Sequence, residues 1–194
     1  MKKAIFLDKD GTLIPDIPYN VDPDLITLQP NAVEGLRALQ QNGYLIIIIS
    51  NQAGVARGLF KEDGLQKVKE KIADLLMMEQ VRLDGFYYCP HHPDGLVEML
   101  SIKCDCRKPA PGMFYKAAHD LNIDLSQSWM IGDILNDVEA AKRAGCGGIL
   151  INNGNETEWQ LEDKCRIPDY LLQNINEAAL LILRKAAKHL IYLP

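Results

Sequence analysis

Short continuous apolar runs alternate along the chain with longer stretches in which apolar side chains return every three or four positions. Residues 3–7 (KAIFL) and 45–50 (LIIIIS) are unbroken runs of the first kind, and they predict buried strands. Residues 84–88, 128–131 and 147–151 predict three more strands, and a weaker one falls at 169–171. Between them, Leu65, Val68, Ile72, Leu75 and Leu76 share one face of a helix, despite Gly64 near its start. Pro111 opens a helix over 111–121, and a last helix begins at about 175. Asn31 with Glu34, and Asn136 with Glu139, each read as a capping box at a helix start. Gly43 and Gly145 supply the corresponding stops.

Strand and helix in regular alternation predict an α/β fold, a three-layer Rossmann-like parallel sheet with helices on both faces. No internal repeat or low-complexity linker interrupts it, so residues 1–194 are expected to form one domain. Sheets of this kind bind ligands beyond the carboxyl ends of their strands. Asp8 and Asp10, Ser50 and Asn51, and Gly132-Asp133 each follow an apolar run. Three polar strand endings should therefore meet on one rim.

Composition narrows the partners. With 47% hydrophobic and 24% charged residues, the chain has the balance of a folded globular protein, which excludes disorder. A net charge of −5 and the lack of a basic, aromatic-interleaved stripe argue against a nucleic-acid partner. The apolar run after Met1-Lys2-Lys3 ends at Asp8, too soon for a secretory segment, and residues 44–49 are too few to span a bilayer. The expectation is a cytoplasmic protein with no membrane partner, acting as a monomer.

Five cysteines in a reducing compartment suggest metal ligands more than disulfides, and their clustering strengthens this. The segments CPHH (89–92) and CDC (104–106) place Cys89, His91, Cys104 and Cys106 as a C-x-H…C-x-C set suited to tetrahedral Zn²⁺. His92 could stand in for His91. Four ligands leave no open position, so the zinc is expected to be structural, folding a loop of about 89–106. Cys146 and Cys165 lack such partners and read as ordinary thiols.

Asp8 and Asp10 carry like charges one residue apart, and Mg²⁺ would relieve their repulsion. A carboxylate can attack phosphorus when the charge on both is partly neutralised, and a second can protonate the leaving oxygen. Asp133 could supply a third anchor for the cation, and Lys108 could hold the transferring phosphoryl group.

The motifs DKDGT (8–12), SN (50–51), RKP (107–109) and GDILND (132–137), in that order, resemble those of the haloacid dehalogenase-like phosphatases over roughly residues 1–185. The resemblance implies that Asp8 is the nucleophile and Asp10 the general acid and base. It implies that Asp8, the main-chain carbonyl of Asp10, and Asp133 ligate Mg²⁺. Ser50 and Asn51 would orient the phosphate, and Lys108 would neutralise it. Asp137 would orient Lys108 or metal-bound water, or serve only as a first-turn acid of its helix.

No large cap domain is expected, since about 18 residues separate Thr12 from the helix at Asn31. Within the superfamily, SNQAGVARG (50–58), YYCPHHPDG (87–95) and CDCRKPAPGM (104–113) resemble the D-glycero-D-manno-heptose 1,7-bisphosphate phosphatases. That family removes the C7 phosphate in the synthesis of nucleotide-activated heptose for lipopolysaccharide or surface-layer glycans. Arg57 and Arg107 could grip the second, non-reacting phosphate, or be solvated loop arginines. Ile134 stands where relatives commonly carry a basic residue. The alternatives are a histidinol-phosphate phosphatase, which shares the zinc loop, and a catalytically silent phosphosugar-binding protein.

Overall fold

A computed structural model describes residues 1–191, with side chains through residue 188. The apolar runs become strands β1 (Lys3–Leu7), β2 (Tyr44–Asn51), β3 (Gly85–Cys89), β4 (Trp129–Gly132), β5 (Gly147–Ile151) and β6 (Tyr170–Leu172). The helices are α1 (Val33–Gln41), the single turn α2 (Ala53–Ala56), α3 (Glu62–Met78), α4 (Gly112–Leu121), α5 (Leu135–Ala144) and α6 (Ile175–Ile191). The strands lie in the order β3-β2-β1-β4-β5-β6, and every pairing is parallel.

Two separate cores follow from the two-residue period of a strand. On one face, Ile5 and Leu7 of β1 pack with Ile46 and Ile48 of β2, Leu36 of α1, Val68 and Ile72 of α3, and Ile182 of α6. On the other, Ala4 and Phe6 pack with Ile47, Ile49, Phe114 of α4 and Ala141 of α5. The rings of Phe6 and Phe114 lie 4.8 Å apart at a tilted angle. Truncating a ring so placed typically costs about 3–5 kcal/mol. Because both faces are covered, the strands carry almost no polar alternation.

Chain order reverses at β1, which has β2 on one side and β4 on the other. The loops leaving these strands diverge there and open a crevice at their carboxyl ends. The connection from β1 to α1 carries only one short 3₁₀ turn, Pro23–Leu25, so no large cap covers the crevice.

Neither expected capping box forms. Asn31 adopts a left-handed φ of 57°, and Ala32 occupies the cap of α1. Asn176 of α6 does the capping instead: its Oδ1 accepts from Gly35 N at 2.7 Å, and its Nδ2 donates to Glu34 at 2.9 Å. At α5 the helix begins before Asn136, with Ile134 at the cap. The Asp137 carboxylate accepts from Ile134 N at 3.3 Å, and Glu156 accepts from Leu135 N at 2.6 Å. Glu139 is instead buried against Arg143 and Arg166.

Candidate active site

A cleft of about 440 Å³ opens at the switch point. Asp8, Asp10, Ser50, Asn51, Lys108 and Asp133 all line it, together with Ile134. The end of β1 delivers Asp8, whose N–H donates to Ile131 O of β4 at 3.0 Å. Gly11 then turns the chain at φ +84°, and Thr12 comes back to donate its hydroxyl to Asp133 Oδ1 at 3.0 Å. A Cβ on Gly11 would sit 2.1 Å from Asp133 Oδ2, so glycine is required for both conformation and space.

Lys108 is the electrostatic centre. Its Nζ lies 2.5 Å from Asp8 Oδ1 and 2.7 Å from Asp137 Oδ1, and donates to Ile49 O at 2.9 Å. The residue is only 3% exposed, and Asp137 is fully buried. Two carboxylates outweigh the desolvation of the ammonium and hold its pKa above the ordinary value. Asn51 fixes the backbone here in both directions, donating Nδ2 to Lys108 O at 3.0 Å and accepting from Lys108 N at 2.9 Å. Asp137 therefore both accepts at the start of α5 and pairs with Lys108.

Asp10 faces a different set of partners. Lys9 Nζ lies 2.5 Å from its Oδ1, and Gln52 Nε2 donates to its Oδ2 at 3.1 Å and to Ser50 Oγ at 2.7 Å. Burial raises the Asp10 pKa, against the attraction of Lys9 and with the help of Asp8. Its carboxylate therefore stays apart from the trio Asp8, Asp133 and Asp137, whose oxygens lie within 4.8 Å of one another. Burial, reinforced by Asp8, pushes Asp133 up to about 6. Three buried carboxylates facing one lysine leave an excess of negative charge, and an oxygen-rich trio of this size fits Mg²⁺.

The cysteine loop forms a second cluster. Cys89 Sγ lies 3.5 Å from Cys104 Sγ, 2.8 Å from Cys106 Sγ and 3.6 Å from His91 Nδ1; Cys106 Sγ lies 3.3 Å from both Cys104 Sγ and His91 Nδ1. Ordinary Zn–S and Zn–N lengths imply tetrahedral edges of about 3.5–3.8 Å; two of the five separations reach that range and three are shorter, so the four donors converge on one point and would spread slightly around a zinc ion. Burial, before any other cause, pushes the Cys106 thiol up to about 11; a cation would hold the thiolates instead. His92 points elsewhere, with Nδ1 accepting from Asp94 N at 3.1 Å, so His91 is the histidine that lies with the three thiols. Cys146 is buried and Cys165 partly so, both outside the cluster.

Arg57 and Arg107 do not line the cleft itself. Arg57 Nη1 donates to Tyr19 OH at 2.7 Å, and Tyr19 does line it. Burial, then the charges of Arg107 and Arg57, lower the His92 pKa. Arg57 Nε and Arg107 Nη1 are buried without a hydrogen-bond partner among the described residues. Sequence reasoning missed Lys9, Gln52 and Asn155. Gln52 directly follows the SN motif and lies buried beside it, whereas Asn155 has no motif around it.

Residues 105–178 match the HAD-hydrolase-like family model. A Haemophilus ducreyi protein curated as D-glycero-beta-D-manno-heptose-1,7-bisphosphate 7-phosphatase is 48% identical over 166 residues, covering 84% of this chain and 90% of its own. A Pasteurella multocida protein of the same name is 41% identical over 183 residues, covering 94% and 97%. Among solved structures, the D,D-heptose 1,7-bisphosphate phosphatase from B. bronchiseptica, complexed with magnesium and phosphate, superposes with a TM-score of 0.80 at 30% identity. That match covers 94% of this chain and 99% of the other.

Proposed function

The chain belongs to the D-glycero-beta-D-manno-heptose-1,7-bisphosphate 7-phosphatase family of HAD-like hydrolases, and from that premise we propose that it removes the 7-phosphate of the β-anomer of heptose 1,7-bisphosphate. The observation that carries this reading is the meeting of Asp8, Asp10, Lys108 and Asp133 in one cleft. The chain works as one phosphatase domain, with the zinc loop inserted between β3 and α4.

Asp8 attacks phosphorus, forming an aspartyl-phosphate as the bond from phosphorus to the C7 oxygen breaks. Asp10 gives its proton to that oxygen. Burial raises its pKa, which favours the protonated form, and Gln52 and Lys9 hold the side chain in place. Asp10 then takes a proton from water as the water attacks phosphorus and Asp8 departs as a carboxylate. Lys108 balances the charge on Asp8 and the phosphoryl oxygens throughout.

Asp8, the main-chain carbonyl of Asp10, and Asp133 would hold Mg²⁺, which when bound supplies charge neutralisation between carboxylate and phosphate. Cys89, His91, Cys104 and Cys106 would hold zinc and fix the loop leading into Arg107-Lys108. Ser50 and Asn51 orient the phosphate, while Arg57 and Arg107 receive the anomeric phosphate at the rim. Ile134 puts an apolar side chain against the sugar. Three of the five cysteines group with His91 as candidate metal ligands rather than in disulfides, which supports a cytoplasmic setting. No helix among the described residues is long and apolar enough to cross a membrane.

The test is phosphate release from both anomers of heptose 1,7-bisphosphate and from histidinol phosphate, each with and without Mg²⁺. Mg²⁺-dependent release from the bisphosphate, fastest for the β-anomer, is expected. Release from histidinol phosphate alone would overturn the substrate and leave the chemistry standing.

A further inference from the structure

The exposed turn after β5 does more than return the chain to β6. Within residues 153–156, three side chains reach three separate parts of the site. Asn153 Nδ2 donates to Gly11 O at 2.8 Å, Asn155 Nδ2 donates to Asp133 Oδ2 at 2.6 Å, and Glu156 Oε2 accepts from Leu135 N at 2.6 Å. The turn is also tied internally, with Asn155 N donating to Asn153 Oδ1 at 3.1 Å. Further along, Arg166 binds Gln160 O, Asn136 and Glu139, so the connection is anchored to α5 at both ends.

Asp133 is thereby held from two sides. Thr12 donates to Oδ1 from the interior, and Asn155 donates to Oδ2 from the solvent side. The bare Cα of Gly11 leaves the passage through which Asn155 reaches: a Cβ there would lie 2.5 Å from Asn155 Nδ2. A carboxylate with both oxygens engaged has one rotamer, set by partners that belong to neither β4 nor α5. Outer hydrogen bonds of this kind orient a ligand before the ion arrives.

We infer that Asn155 is a positioning residue for cation binding, presenting the Asp133 carboxylate to Mg²⁺, with Asn153 fixing the turn that carries it. The inference rests on the reading of Asp133 as a Mg²⁺ ligand. It assigns a role to a segment that carries no phosphatase motif.

The test is a Mg²⁺ titration of the zinc-loaded protein by calorimetry, repeated with Mn²⁺ by electron paramagnetic resonance, with no substrate present. Asn155→Ala is expected to weaken binding of both ions by about tenfold or more. Its unfolding midpoint without Mg²⁺ should move by under about 2 °C, as for an exposed polar residue. Asn153→Ala should weaken binding too, and the double variant should lose less than the product of the two single losses, since both act through one turn. Wild-type affinity in Asn155→Ala, or strictly multiplicative losses, would overturn the inference. Asp133→Asn separates this from the underlying reading: if that variant still binds Mg²⁺ as wild type does, the ligand assignment itself fails.

Discussion

Asp8 and Asp10 are separated by a single residue in the chain yet occupy different electrostatic surroundings. Asp8 faces Lys108 and the other two buried carboxylates, while Asp10 turns toward Lys9 and Gln52. Division of labour between two carboxyl groups rests on such a difference, because one must stay ionised while the other holds a proton. Asp10→Asn keeps the size and the contact with Gln52 but cannot exchange the proton, so turnover should fall on the order of 10²–10⁴-fold. Steady-state phosphate release checks this, and a variant turning over at the wild-type rate would remove Asp10 from the mechanism. Arg57 makes a second residue-level case, since it holds the hydroxyl of Tyr19 at the cleft wall. Arg57→Ala should raise KM for the bisphosphate by on the order of tenfold, as loss of a charged hydrogen bond would. A simple monophosphate should be nearly unaffected. Equal losses on both substrates would defeat the idea of a separate grip on the second phosphate.

Elements were legible where their signal was local. All six strands follow apolar runs, and the polar endings of β1, β2 and β4 do converge on one rim. The helix starts were not legible, because the donors and acceptors that cap them come from elsewhere: Asn176 serves α1 from α6, and Glu156 serves α5 from beyond β5. A window on Asn31 or Asn136 cannot contain such partners. The histidine choice was open for the same reason, since only the fold decides that His91 faces the thiols and His92 the backbone of Asp94. The zinc loop shows what long-range ties mean for function. Cys106 immediately precedes Arg107 and Lys108, and Asn51 clamps the Lys108 backbone from β2. Cys104→Ser should therefore lower zinc from about one per chain to under about one-third, and depress turnover through a displaced Lys108. Elemental analysis beside the activity assay measures both. Full zinc content in the variant would remove Cys104 from the ligand set, and full activity in zinc-free protein would break the link to Lys108.

At the scale of the whole molecule, the fold gathers more negative charge into its cleft than its own cations balance. Burial raises the pKa values of Asp10, Asp133 and Asp137 from their ordinary values, Asp133 to about 6. With Mg²⁺ absent, the folded chain then binds more protons than the unfolded chain at pH values between about 4 and 6, so stability falls as pH rises through that window. The shift of Asp133 alone, from 3.8 to about 6, corresponds to on the order of 3 kcal/mol at about 1.4 kcal/mol per unit. Lys108 does not reverse the trend: its raised pKa stabilises the fold at every pH below its unfolded value and weakens only in strong alkali. The lowered pKa values of Glu34, Asp120 and Asp124 act in the opposite sense, but these groups lie at the surface and their stabilisation is lost only below the ordinary carboxylate range; the lowered His92 pKa opposes the trend inside the window, but it is one ring on a surface loop against several buried carboxylates. In Mg²⁺-free buffer the unfolding midpoint should accordingly be several degrees higher at about pH 5 than at about pH 7.5. Added Mg²⁺ should raise it more at the higher pH, where no proton has to leave the carboxylates first. Thermal unfolding at the two pH values, with and without Mg²⁺, decides the matter. A midpoint that climbs from pH 5 to 7.5 without Mg²⁺, together with equal gains from the ion at both, would mean that the carboxylates of the cleft are not what the cation relieves.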